Sequence, residues 1–144
     1  MRIARFVMAA TITLSALAFG HGAEAQVVPP PPTVPVVDDC VLSRGDVAWA
    51  DPMRGAIFTC SPKLAMVEAS FPGFTTFTLM HERAHFIVGG NERAADCLAA
   101  QWLGPSAPPA NAAAYFATQG PLVINPLYGS GLERAARIRA CAGM

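Results

Sequence analysis

Two glycines and an asparagine at positions 89–91 interrupt what is otherwise one long helical pattern, and they dictate how the middle of this chain must fold. Upstream, after the Pro72-Gly73 break, apolar residues recur at Phe74, Phe77, Leu79, Met80, Ala84, Ile87 and Val88. That periodicity predicts a mostly buried helix over Thr76–Val88. Glycine accepts the left-handed backbone that closes a helix, and Asn91 is a good N-cap. The stretch "ERAADCLAAQWL" then reads as a second helix, running to Gly104-Pro105. So short a break lets the second helix fold back on the first and bring their facing residues together.

Those facing sides carry the chain's most distinctive residues. His81 and His85 are four apart, so a helix stacks their imidazoles on one face about one turn apart. Convergent rings of this kind can bind one zinc ion at Zn–N distances of about 2.0–2.1 Å. Glu82 follows His81 directly, which points it beside the metal, where it can take a proton from a water held there. A catalytic zinc takes three protein ligands and keeps a fourth position open. The remaining histidine, His21, belongs to the N-terminal lead, so the third ligand must be a carboxylate or a cysteine. Glu92 and Asp96 are themselves four apart, on one face of the second helix. Glu92 is the favoured ligand, with Asp96 accepting a hydrogen bond from the free ring nitrogen of a ligating histidine. Asp96 on the metal is the alternative. A chance helix with Glu82-Arg83 as its solvent edge is the simplest rival, but an unpaired carboxylate on so apolar a segment is costly.

"HERAH…NERAAD" resembles the HExxH…ExxAD signature of gluzincin-type zinc metallopeptidases, over roughly Phe74–Leu103. The resemblance implies Zn2+ as cofactor, His81, His85 and Glu92 as ligands, Glu82 as general base and Asp96 as the orienting carboxylate. It implies a zincin-like α+β fold, mostly helical, with the HExxH helix packed on a small β-sheet and followed by a second ligand-bearing helix. It also implies hydrolysis of peptide bonds in a peptide or protein substrate. Small exported bacterial proteins of metallopeptidase type are similar in layout. Members of the clan often steady the oxyanion with a tyrosine, histidine or arginine, and Tyr115, Tyr128 and Arg134 are the candidates here. Six residues separate His85 from Glu92, where the best-known members have much longer insertions. The metzincin pattern fits poorly, because Asn91 stands where its third histidine would be. The competing expectation is a non-catalytic exported protein that binds metal structurally or serves as a peptide- or protein-binding module.

The ends of the chain speak to location. Arg2 and Arg5, the apolar run Phe6–Phe19 and the small residues Ala23 and Ala25 predict a signal peptide over residues 1–25, cleaved near Ala25, and hence a periplasmic or secreted protein. A retained N-terminal anchor is the alternative. The mature chain keeps eight Lys/Arg against nine Asp/Glu, with Lys63 its one lysine. Such a surface offers no basic stripe for nucleic acid and no charge for a membrane, and a monomer is expected. Cys40, Cys60, Cys97 and Cys141 are an even set in an exported chain, which predicts two disulfides. The expected pairs are Cys40–Cys60 and Cys97–Cys141, each worth about 2–4 kcal/mol.

The remaining expectations concern organisation. The proline-rich segment 26–37 reads as an extended linker before a domain over 38–144. Ala56–Cys60 and Leu64–Glu68 read as extended stretches around a turn at Ser61-Pro62-Lys63. A short helix is expected from about Asn111 to Thr118, and Ser130 and Glu133 have capping-box spacing before a closing helix. Arg134, Arg137 and Arg139 on that helix read as a solvated face. Trp49 and Trp102 read as core.

Overall fold

A computed structural model describes residues 27–123 and 125–144, so the expected signal segment 1–25 lies outside the described residues. The fold is α+β. Strands β1 (Val36–Asp38), β2 (Ala48–Asp51) and β3 (Ala56–Thr59) are followed by helices α1 (Ser61–Glu68), α2 (Phe74–Val88), α3 (Glu92–Leu103), α4 (Ala107–Ala117) and α5 (Gly131–Cys141). The helices hold about half of the described residues.

The sheet has the order β1-β3-β2, with β3 parallel to β1 and antiparallel to β2. β3 is buried at every position, as a central strand should be, whereas β2 alternates buried and half-buried residues as an edge strand with one covered face. The proline-rich segment is largely exposed and yet pinned at both ends. Ile57 N–H donates to Pro35 O at 2.9 Å where β1 begins, and the Trp102 indole N–H donates to Pro29 O. The sheet therefore starts at Val36, inside the segment read as linker.

Two helices differ from their sequence reading. Ser61–Glu68 forms α1 instead of a turn and an extended stretch, because Pro62 falls in the first helical turn, where its fixed φ helps and its missing N–H costs nothing. Only Leu64 of this helix is buried, so the sequence carries no helical periodicity to betray it. α4 begins at Ala107, ahead of the expected Asn111, for the same reason: its prolines occupy the first turn. α3 is capped by Asn91, whose side chain accepts from Ala94 N–H at 3.1 Å. α5 opens with both halves of its capping box formed, Glu133 N–H to Ser130 Oγ at 3.2 Å and Ser130 N–H to Glu133 Oε2 at 2.8 Å.

α2 runs through the middle, packed on α3, α4 and the sheet. Its Phe74 and Phe77 join Leu64, Phe116 and Ile138 in the main core, and Ala99, Ala112 and Ala135 let the surrounding helices approach closely. Gly131 marks the tightest of these approaches, since a Cβ there would lie 2.3 Å from Phe116 O and 2.7 Å from Gln119 Cβ. Gly131→Ala is expected to destabilise the fold by about 1–3 kcal/mol through overpacking. Gly90→Ala, whose Cβ would meet open space, is the control. Equal urea midpoints for the two variants would refute this packing reading.

Both expected disulfides form. Cys40–Cys60 joins the chain just after β1 to the chain just after β3, and Cys97–Cys141 ties α3 to the end of α5. Such bridges point to folding in an oxidising compartment outside the cytoplasm. Among the described residues no helix is long and apolar enough to cross a membrane.

Candidate metal centre

α2 and α3 face each other across the 89–91 break, and three side chains converge there. His81 Nε2 lies 3.1 Å from His85 Nε2, and Glu92 Oε2 lies 3.1 Å from the first and 3.2 Å from the second. Tetrahedral zinc with bonds of about 2.0–2.1 Å sets its donors about 3.3–3.4 Å apart. The triangle His81–His85–Glu92 is close to one face of that tetrahedron, and the group could hold a metal ion.

Backbone geometry aims the donors. Gly89 adopts φ 62 and ψ −145, a region essentially restricted to glycine. Its carbonyl lies 2.6 Å from His85 Nδ1, which fixes the ring and leaves Nε2 to face its partners. Asn91 then caps α3 and places Glu92 in its first turn, where a carboxylate is favoured by the helix dipole.

His81 is oriented from the other side. Its Nδ1 lies 3.0 Å from Asp96 Oδ1, off the line of a straight hydrogen bond, and it has no other partner among the described residues. Asp96 is wholly buried and sits beyond the His81 ring, away from the three converging donors. It accepts from Arg134 Nε at 3.0 Å and Nη2 at 2.9 Å, and from Arg137 Nη2 at 2.8 Å. These two arginines are therefore not a solvated face. Arg139 alone of the three stays exposed. The missed signal was their i, i+3 spacing beside the buried Ala135 and Ile138, together with a buried aspartate elsewhere that had to be compensated.

No family model, curated protein or solved structure matches this chain. Its chemistry must be read from its own residues.

Glu82 is buried beside the triangle and accepts from Ala50 N–H of β2 at 2.7 Å, a partner that no side-chain motif could reveal. Glu82 and the three converging residues line a cleft of about 370 Å3 walled by β2. Tyr115, Tyr128 and Arg134 line it as well. Tyr128 stacks on His81 with centroids 6.2 Å apart. Arg134 is committed to Asp96 and lies between the Phe116 and Tyr128 rings, at 3.6 and 3.9 Å. Tyr115 packs edge-on against Phe71, Phe74 and Phe116. Trp49 is half-buried on the cleft wall with Arg44 over its ring, not in the core, while Trp102 packs half-buried against Ala84, Ala95 and Leu98.

The electrostatics follow from this crowding. Burial opposes a charge on His81, but the Asp96 and Glu92 carboxylates outweigh it and raise its pKa to about 9. His85 is also raised: burial pulls it down, and Glu92 and the Gly89 carbonyl more than offset that. Burial pushes Glu92 up, yet the neighbouring His81 and His85 imidazoles, with the nearby Tyr128, hold it well below the usual carboxylate range. Asp96 is likewise pushed up by burial and brought down to about 2 by His81 and Arg134. Glu82 is raised by burial, against the pull of the two imidazoles.

Three donor atoms this close repel unless a proton or a cation sits among them. In the metal-free chain His81 therefore contributes stability in full below its unfolded value of 6.5, and that contribution is lost as pH rises through about 9. Asp96 contributes above 3.8, and its share is lost as pH falls through about 2. Metal loading needs neutral imidazoles, so it should release protons and tighten as pH rises from 6.5 towards 9. Calorimetry at pH 7 in two buffers of different ionisation enthalpy reads this directly. Identical apparent enthalpies would contradict it.

Proposed function

We propose that this chain is an exported zinc metallopeptidase, and the observation that carries the reading is the donor triangle in a cleft beside a buried carboxylate. Two imidazoles and one carboxylate are a donor set that suits zinc. Asp96 is held on the far side of His81 by the arginines, so it does not compete for a fourth coordination position. Zinc bound here would polarise a substrate carbonyl and bring the acidity of a water near neutrality.

The chain's own residues supply the rest. Glu82 takes the proton from the attacking water and passes it to the departing amine. Its raised proton affinity suits both halves of that transfer, and Ala50 N–H holds one of its oxygens in place. β2 is an edge strand on the cleft wall. Its Val47 carbonyl bonds to Cys60 N–H, so by the alternation of an antiparallel ladder Ala48 and Ala50 turn their backbone groups away from β3. Ala50 N–H is taken by Glu82, so the Ala48 N–H and the Ala48 and Ala50 carbonyls, unpaired among the described residues, are what can align an extended peptide as an added strand. Phe74, Phe77 and Phe116, also on the cleft wall, suit an apolar substrate side chain.

The test is cleavage of a mixed peptide library by the mature protein. Cleavage that a chelator abolishes and zinc restores supports the peptidase reading. Chelator-insensitive cleavage would remove zinc from the mechanism, and tightly bound zinc without any cleavage would favour a non-catalytic metal protein.

A further inference from the structure

The arginines of α5 reach one of the three converging residues, His81, from behind along two routes. Asp96 touches His81, and its carboxylate is gripped by Arg134 through two nitrogens and by Arg137 through a third. Tyr128 stacks on the His81 ring with centroids 6.2 Å apart, and it too is held by both arginines. The Arg134 guanidinium lies 3.9 Å from its ring centroid, and Arg137 Nη2 donates to its backbone carbonyl at 3.1 Å. Phe116 closes the other face of Arg134 at 3.6 Å, so the guanidinium plane has little freedom. Next to Asp96, Cys97 is bonded to Cys141 at the end of the same helix.

We propose that Arg134 and Arg137 are positioning residues for the metal centre, a brace on α5 that fixes where His81 points. This rests on the reading of His81, His85 and Glu92 as a metal site. The physical reason is that a buried carboxylate contacted only by an imidazole is both under-compensated and free to turn. A forked guanidinium removes that freedom, and an ammonium does not. Through Tyr128 the same two side chains hold the ring stacked on His81, so one helix governs both contacts that orient that imidazole.

The experiment uses the full mature chain as wild type, Arg134→Gln, Arg137→Gln, Arg134→Lys, Arg137→Lys and Arg139→Gln. Zinc affinity is measured by competition with a chromophoric chelator, the cobalt-substituted proteins by visible absorption, and the metal-free proteins by melting. Zinc affinity is expected to fall about 10–100-fold in both glutamine variants, with altered cobalt bands. The lysine variants, which keep charge but lose the fork, should remain impaired. Arg139→Gln should match wild type, since Arg139 is exposed and makes no ion pair among the described residues. If the glutamine variants melt lower but bind zinc as tightly as wild type with unchanged cobalt spectra, the arginines serve only the fold and the proposal is overturned. If they do not fold, the lysine variants decide by the same criterion. Wild type that binds no zinc would defeat the metal site itself, an outcome visible before any variant is compared.

Discussion

Glu82→Gln is expected to keep zinc and lose hydrolysis, with kcat falling about 10²–10⁴-fold, the usual contribution of a positioned acid–base group. Glutamine is nearly isosteric and keeps a carbonyl oxygen for Ala50 N–H, so the contact at 2.7 Å can survive. It cannot accept and return a proton. Because Glu82 is buried, with its pKa raised by that burial, removing its charge should not weaken the fold. Retained zinc and an unchanged melting temperature would then separate a lost base from a lost structure. A rate within a few-fold of wild type would remove Glu82 from the chemistry.

Loss of a donor should act on the metal instead. Structural zinc sites in zinc-finger peptides, with four protein donors, bind with about 10–16 kcal/mol. Shared over four donors, that is about 2.5–4 kcal/mol each, which sets the expected loss at about 10²–10³-fold in affinity for His81→Ala, His85→Ala or Glu92→Ala. Asp96→Asn should cost less, about 10–100-fold, because it changes the orientation of His81 and not the donor set. The order of the two acidic variants in a chelator competition therefore tells ligand from orienter. A greater loss for Asp96→Asn than for Glu92→Ala would reverse the two roles.

Much of the site was legible in the sequence, because helices turn spacing into direction. The four-residue step from His81 to His85, the Gly89-Gly90 stop and the Asn91 cap suffice to bring Glu92 to the imidazoles. What escaped the sequence has a common physical cause, which is that tertiary partners leave no local pattern. Ala50 takes part through its backbone N–H, so its side chain says nothing. β1 and β2 have three and four residues, too few for alternation to register. α1 buries one side chain and has no apolar face to read. Arg134 and Arg137 look like solvent-exposed charges until the wholly buried Asp96, roughly forty residues earlier in the chain, is found between them.

Zinc content and coordination in the purified wild-type protein bear most directly on all of this. About one zinc per chain is expected, with an X-ray absorption edge fitted by imidazole nitrogens and carboxylate or water oxygens at about 2.0–2.2 Å. A chain that takes up no zinc, or one whose zinc shows a sulfur neighbour at about 2.3 Å, would contradict a centre built from His81, His85 and Glu92.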